Sequence, residues 1–208
     1  MTWITLLLLG PIAANPADEN GYRSALVVLS SPESTVQEVS RARRKLTKSF
    51  PESRAALYAA LQREPRVATF AVNILAKKGK KKSDLLAVRS ALQHDAPMVR
   101  VAAVKALRKM KGADIAMDHY WNEPYSRVRL AIVDAVRSHD ELAEFLLSVL
   151  EREKHEQIRS KALALFKTTT GVDYDRTDAR EVVRKLTSRE QRQLLDAHVQ
   201  KMRKRERR

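Results

Sequence analysis

A chain of 208 residues with 40 Lys and Arg against 25 Asp and Glu carries a formal net charge of +15, a balance that draws nucleic acid, anionic lipid, polyanionic glycans or acidic proteins. Only 5 Gly and 7 Pro beside 44% hydrophobic residues exclude a disordered or loop-dominated chain, and the Ala/Leu/Lys/Arg/Glu bias favours an all-α fold. The absence of cysteine excludes disulfides, thiolate metal sites and cysteine nucleophiles within these residues, and it leaves the redox compartment open.

The first residues, MTWITLLLLGPIAANPADEN, hold an apolar run from Trp3 to Leu9, the breaker pair Gly10-Pro11, and small residues at Ala13 and Ala14. This is the outline of a secretory signal peptide over residues 1–14, ending at Ala14 or Ala17. Export to a periplasmic or extracellular space follows if it is cleaved. No Lys or Arg precedes the run, so a short apolar segment covering the end of the core is the other reading, with a cytoplasmic protein. The run is far shorter than the roughly 20 apolar residues that span a bilayer, so no transmembrane segment is expected.

Residues 22–50 read as N-terminal capping helices or a degenerate repeat. Within them SPESTVQEVSRARRKLTK starts with Ser31 at an N-cap position and Pro32 at the first helical position. From there to about residue 170 the chain repeats. The segments PRVATFAVNIL, PMVRVAAVKAL, SRVRLAIVDAV and EQIRSKALALF align on Val67, Val99, Val128 and Ile158, at steps of 32, 29 and 30 residues by subtraction of their numbers. Five positions on stand Val72, Val104, Val133 and Leu163, and eight positions on stand Leu75, Leu107, Val136 and Phe166. Offsets of zero, five and eight put these side chains on one helical face. Ahead of each lies another apolar-periodic segment, from Ser53, Ser83, Ala113 and Asp140, with Pro65, Pro97 or Pro124 marking the turn between. Neither helix of such a pair can bury its apolar face alone, so pairs must stack. The expected architecture is an α-solenoid of antiparallel helix pairs, an armadillo-like superhelix with helical caps. Gly171 stops the fourth repeat, and residues 171–208 restart with capping-box patterns at Asp178/Glu181 and Ser188/Gln191 before the basic tail KMRKRERR.

The repeats resemble the HEAT family, particularly its short HEAT-like form in bacterial proteins and the phycobilin-lyase relatives. Asp95, Pro97, Val99, Arg100, Ala103, Val104, Ala106 and Leu107 carry the match, and Arg129 and Arg159 repeat the arginine in register, while Ala68 stands in its place in the first copy. The resemblance covers about residues 51–170. It implies a scaffold that binds a protein partner, with no cofactor. It also implies that Asp95 pairs with Arg100 in a structural ladder continued by Arg129 and Arg159. The resemblance extends to HEAT-like DNA glycosylases, which makes a cationic surface for nucleic acid or another polyanion the alternative. HEAT-like hydroxylases need repeated His-Glu pairs, and this chain has only His155-Glu156.

Three basic runs are candidate partner or anion contacts. Lys77, Lys78, Lys80, Lys81 and Lys82 form KKGKKK between the first two repeats, where Gly79 within a lysine run reads as a flexible, solvated connection. Arg41, Arg43, Arg44 and Lys45 form the second run, and the C-terminal tail the third. The aromatic cluster of Tyr120, Trp121 and Tyr125 reads as packing against the next repeat. Asp173, Asp175 and Asp178 do not make a calcium loop, since Asp178 and Arg184 fall where Gly and Glu are required. The five histidines never pair on one helix face, and no G-x-S-x-G, HExxH or dinucleotide glycine loop is present. Catalytic, cofactor-binding and metal-ligating residues are therefore expected to be none, and the chain is taken as a monomer.

Overall fold

The structure, a computed structural model, describes residues 16–136, 142–170 and 174, with side chains from residue 21 onward. The proposed signal segment 1–14 and the C-terminal elements at 171–208, with their capping boxes, aspartates and basic tail, lie outside the described residues apart from Tyr174. Ten α-helices and no strand stand among the described residues: α1 (Pro16–Ser30), α2 (Val36–Lys48), α3 (Arg54–Ala60), α4 (Pro65–Lys78), α5 (Lys82–Ser90), α6 (Pro97–Lys109), α7 (Ala113–His119), α8 (Ser126–Ala135), α9 (Leu142–Arg152) and α10 (Glu156–Thr170). A 3-10 turn extends α5 over Ala91–Gln93 and α7 over Tyr120–Asn122.

Local chemistry sets the helix starts. Pro65 and Pro97 open α4 and α6, where the missing N–H has no intrahelical acceptor to lose. Pro124 stays in the turn, and α8 begins two residues later at Ser126. The start of α2 differs from the sequence reading. Ser31 and Pro32 lie in the turn that ends α1, and Thr35 is the N-cap. Thr35 Oγ1 accepts from the Glu38 N–H at 3.3 Å while the Thr35 N–H donates to Glu38 Oε2 at 2.8 Å. This reciprocal box satisfies two amides at once, whereas Ser31 Oγ accepts one, the Glu33 N–H at 3.3 Å. Helix α1 begins at Pro16, ahead of residue 22, and packs on α2, α3 and α4, covering the start of the array.

From α3 to α10 the helices form pairs, and the second helices, α4, α6, α8 and α10, pack on one another as a continuous layer. Small buried residues, Ala68, Ala71, Ala103, Ala106, Ala135 and Ala162, let these backbones approach closely. The first helices, α3, α5, α7 and α9, make few contacts with one another and form an outer, more open layer. The aligned residues Val67, Val72, Leu75, Val99, Val104, Leu107, Val128, Val133, Val136, Ile158 and Phe166 are buried between the layers. Leu163 departs from that face and is 40% exposed, because α10 carries no further helix pair over it among the described residues.

Candidate functional site

The turn-to-helix junctions hold a ladder of buried ion pairs. Arg100, at the start of α6, donates from Nε and Nη2 to the two carboxylate oxygens of Glu123, each at 2.8 Å, and from Nη1 to the main-chain oxygens of His94 at 2.7 Å and Asp95 at 2.9 Å. Arg129, at the start of α8, repeats the pattern on Glu153 at 2.9 and 3.2 Å, with Nη1 on the carbonyls of Glu123 and Pro124 at 3.0 and 2.9 Å. Each arginine thus clamps its own turn with one nitrogen and holds the next turn's carboxylate with the planar fork. Arg159 Nη1 likewise reaches the carbonyls of Glu153 and Leu150. Its remaining nitrogens meet no carboxylate among the described residues.

The expected Asp95–Arg100 pair is corrected by this geometry. Asp95 is exposed and hydrogen-bonds Arg100 through its carbonyl, its carboxylate acting only as a nearby charge; the carboxylate that pairs comes from Glu123, 23 residues on in the next pair. Glu123 and Glu153 escaped the sequence reading because they lie outside the helices, two residues ahead of the N-caps Tyr125 and His155. A signal was there: His94, Glu123 and Glu153 step by 29 and 30 residues, as Val99, Val128 and Ile158 do. In the second repeat that place is held by His94, whose Nδ1 accepts from the Ala96 N–H at 3.0 Å and whose Nε2 lies 2.8 Å from the Arg63 carbonyl. With Ala68 in place of the arginine, a carboxylate there would be buried without a cation, a cost that an imidazole hydrogen-bonded at both ring nitrogens does not carry.

Both acids are held ionised. Burial opposes the charge on Glu153, but hydrogen bonds from Arg129, Tyr120 and the His155 N–H outweigh it and hold the carboxyl at about 2. Burial likewise opposes Glu123, and Arg100, the Tyr125 N–H and His119 bring its carboxyl below the usual range. Tyr120 is fully buried, with its hydroxyl 2.6 Å from Glu153 Oε2 and its ring edge-on to Trp121 and Phe145. Burial and the Glu153 charge both raise its hydroxyl above the ordinary range. Trp121 lies under the Arg152 guanidinium at 4.1 Å, and Tyr125 under Arg100 at 5.1 Å.

A second rung, also missed from sequence, joins the outer helices. Asp84, fully buried near the start of α5, accepts from Arg54 Nε at 2.8 Å and from the Tyr58 hydroxyl at 2.7 Å. Its other oxygen takes the Lys80 and Lys81 N–H groups at 3.0 and 2.9 Å. The KKGKKK connection is therefore pinned through its backbone, contrary to the flexible loop expected. Gly79 fits a close approach: a Cβ there would stand 2.6 Å from the Leu75 carbonyl oxygen and 2.8 Å from Asp84 Cβ. Gly79→Ala is expected to cost about 1–3 kcal/mol in urea unfolding, the range for overpacking; an unchanged midpoint would mean the connection gives way.

The basic candidates fall into two groups. Lys77, Lys78, Lys80, Lys81 and Lys82 are all exposed and have no ion-pair partner among the described residues. On α2, Arg43 lies over the Phe70 ring at 5.2 Å and Lys45 over Tyr22 at 6.0 Å, so two of that run's cations cover aromatic faces. Arg41 and Arg44 are exposed. Between α5 and α7 the outer layer opens into a cleft of about 410 Å³, lined by Leu86, Arg89, Gln93, Ile115, Asp118 and His119 among others. Among the described residues no cluster of three or more His, Cys, Asp or Glu could hold a metal, and no helix is long and apolar enough to cross a membrane.

No curated protein matches the chain. Residues 48–137 match the family model of HEAT repeats, which spans the pairs α3–α4, α5–α6 and α7–α8 together with both closed arginine–glutamate rungs except Glu153. Helix pairs of about 30 residues, an inner layer stacked through alanines, and arginines in register at the start of the second helices identify residues 48–137 as an array of HEAT repeats.

Proposed function

We propose that the protein is a non-enzymatic scaffold that receives a protein partner along the inner face of its second helices. HEAT repeats generally serve as protein-interaction scaffolds, and one observation carries the reading to this face. Opposite the buried stripe of each second helix runs a second stripe: Met98, Val101, Ala102 and Lys105 on α6, then Arg127, Leu130 and Ala131 on α8. Met98 is 57% exposed, and Val101, Ala102, Leu130 and Ala131 are half-buried, making a floor of small and aliphatic side chains. Exposed Arg66, Lys105 and Arg127 border it. An apolar centre inside a charged rim is the anatomy of a protein interface, and short side chains leave room for a helix to lie against them.

The expected result is that Ala102→Glu/Ala131→Glu loses, by about tenfold or more, proteins recovered by the unaltered chain from its native extract, an effect of about 1.4 kcal/mol. Leu86→Asp on the outer helix α5 should recover them unchanged. Circular dichroism and thermal melting check that both variants are folded. The same proteins recovered at the same level by the inner-face variant would overturn the reading.

A further inference from the structure

The edge of the array where second helices end and first helices begin is strongly basic, and the fold explains only part of that charge. Helices α4 and α6 lie side by side and end in Lys77–Lys78 and Arg108–Lys109. The connections that follow them share this edge. Arg54 at the start of α3 binds Asp84 at the start of α5, and a Cβ on Gly112, just before α7, would stand 2.8 Å from Leu85 Cδ1. Lys80, Lys81 and Lys82 fill the first connection, and Lys111 stands in the second.

Cations in the last turn of a helix complement its dipole, which accounts for the pairs ending α4 and α6. The others stand where they weaken the fold. Lys81 is the N-cap of α5 and Lys82 its first residue, the end at which a positive charge is disfavoured. Lys111 has φ 62°, the left-handed region, and it is the one non-glycine residue with positive φ among the described residues. A side chain costs roughly 1–2 kcal/mol there, and glycine would relieve it. Strain and misplaced charge that converge on one edge, with no ion pair among the described residues to offset them, are marks of a surface kept for a ligand.

We propose that this edge binds the phosphodiester backbone of a nucleic acid without reading its sequence. The partner's chemistry follows from what the edge presents. Lysine ammonium groups are compact point charges that meet phosphate without the bidentate geometry a guanidinium fork imposes, which suits contact that does not depend on sequence. The Lys80 and Lys81 amides are already taken by Asp84, which leaves contact to the side chains. Neither connection carries an exposed large apolar side chain to stack on bases or enter a bilayer. Packed helices lie about 8–10 Å apart, and duplex DNA presents one negative charge per about 1.7 Å of axis, so both connections face several phosphates at once.

The test is binding of the full chain to a short labelled DNA duplex of arbitrary sequence, followed by fluorescence anisotropy across a salt series. The unaltered protein should bind at low salt with an affinity that falls steeply as salt rises, equally for a scrambled duplex. Lys80→Gln/Lys81→Gln/Lys82→Gln should flatten the log–log salt slope by about 2–3, since each phosphate contact contributes close to one. Lys111→Gly separates function from folding: it should melt higher than the unaltered chain and bind the duplex more weakly. Ala102→Glu/Ala131→Glu should keep most duplex affinity, so this inference stands or fails apart from the protein-partner reading. Absence of binding at low salt, an unchanged slope in the triple variant, or displacement of the duplex by polyglutamate at equal charge would each overturn it.

Discussion

Arg100→Ala is expected to lower stability by about 3–5 kcal/mol, the range for removing one partner of a buried ion pair, and to take about 10 °C off the melting temperature of a chain this size. Glu123 is 3% exposed, and without the guanidinium it keeps only His119 Nε2 at 3.2 Å and the Tyr125 N–H at 2.9 Å. Four hydrogen bonds leave with one side chain, two to Glu123 and two to the turn carbonyls of His94 and Asp95. Arg129→Ala should cost less, because Glu153 retains the Tyr120 hydroxyl and the Lys154 and His155 N–H groups. Asp95→Ala should be nearly neutral, since only its carbonyl is hydrogen-bonded and its exposed carboxylate is the smallest of the charges acting on Arg100. In a double-mutant cycle, Arg100→Met/Glu123→Leu should cost less than the sum of the single changes, because an uncompensated charge is left only when one partner goes. A loss below about 1 kcal/mol for Arg100→Ala would show the rung to be a surface pair in effect.

Acid should unlock the same ladder. The folded-state carboxyls of Glu153, Glu123 and Asp84 all lie below their ordinary values: burial opposes each charge, and hydrogen bonds from Arg129, Arg100 and Tyr58 respectively lead the groups that outweigh it. A depressed folded value stabilises the protein above the unfolded pKa, near 4, and that contribution disappears as pH falls through the folded value. For Glu153, held at about 2 against an ordinary 4.5, the contribution at neutral pH is about 3 kcal/mol at 1.36 kcal/mol per unit. Urea unfolding should therefore show these three groups adding nothing to the pH dependence between pH 6 and 8 and a steep loss from about pH 5 towards pH 2. Glu153→Gln should be markedly weaker than the unaltered chain at pH 7, with the gap narrowing as pH falls. A gap that stays constant down to pH 2.5 would mean Glu153 does not titrate with folding.

Much of the fold is legible in the sequence because the repeat writes it four times. Val67, Val99, Val128 and Ile158 are all buried, and the intervening alanines set how closely the second helices stack. The rungs were harder to see. Arg100 and Arg129 sit inside a helical pattern, whereas their acids, Glu123 and Glu153, stand in turns, where no hydrophobic period marks a position. Asp95 drew attention because it is adjacent in sequence, yet a five-residue separation within one turn lets Arg100 reach its carbonyl while the carboxylate faces solvent. The KKGKKK connection misled for a related reason: lysine side chains advertise solvation, but it is the two N–H groups on Asp84 that fix the loop. At α2, the box formed by Thr35 and Glu38 outweighed the Ser31-Pro32 pair that looked more like a helix start.

The guanidinium of Arg159, which meets no carboxylate among the described residues, leaves the rungs running in one direction. In a one-dimensional array each unit is stabilised by its own helices and by its neighbours. Here the coupling between units is carried forward, from the arginine of one turn to the acid of the next. The α5–α6 turn is tied ahead to Glu123 and the α7–α8 turn ahead to Glu153, but among the described residues the α9–α10 turn is tied only behind. Opening that starts at α10 therefore breaks Arg159's hold on its own turn before any carboxylate rung is strained, while opening from α4 must first expose the α4–α6 seam. Among the described second helices, amide exchange should accordingly be graded, faster in α10 than in α6.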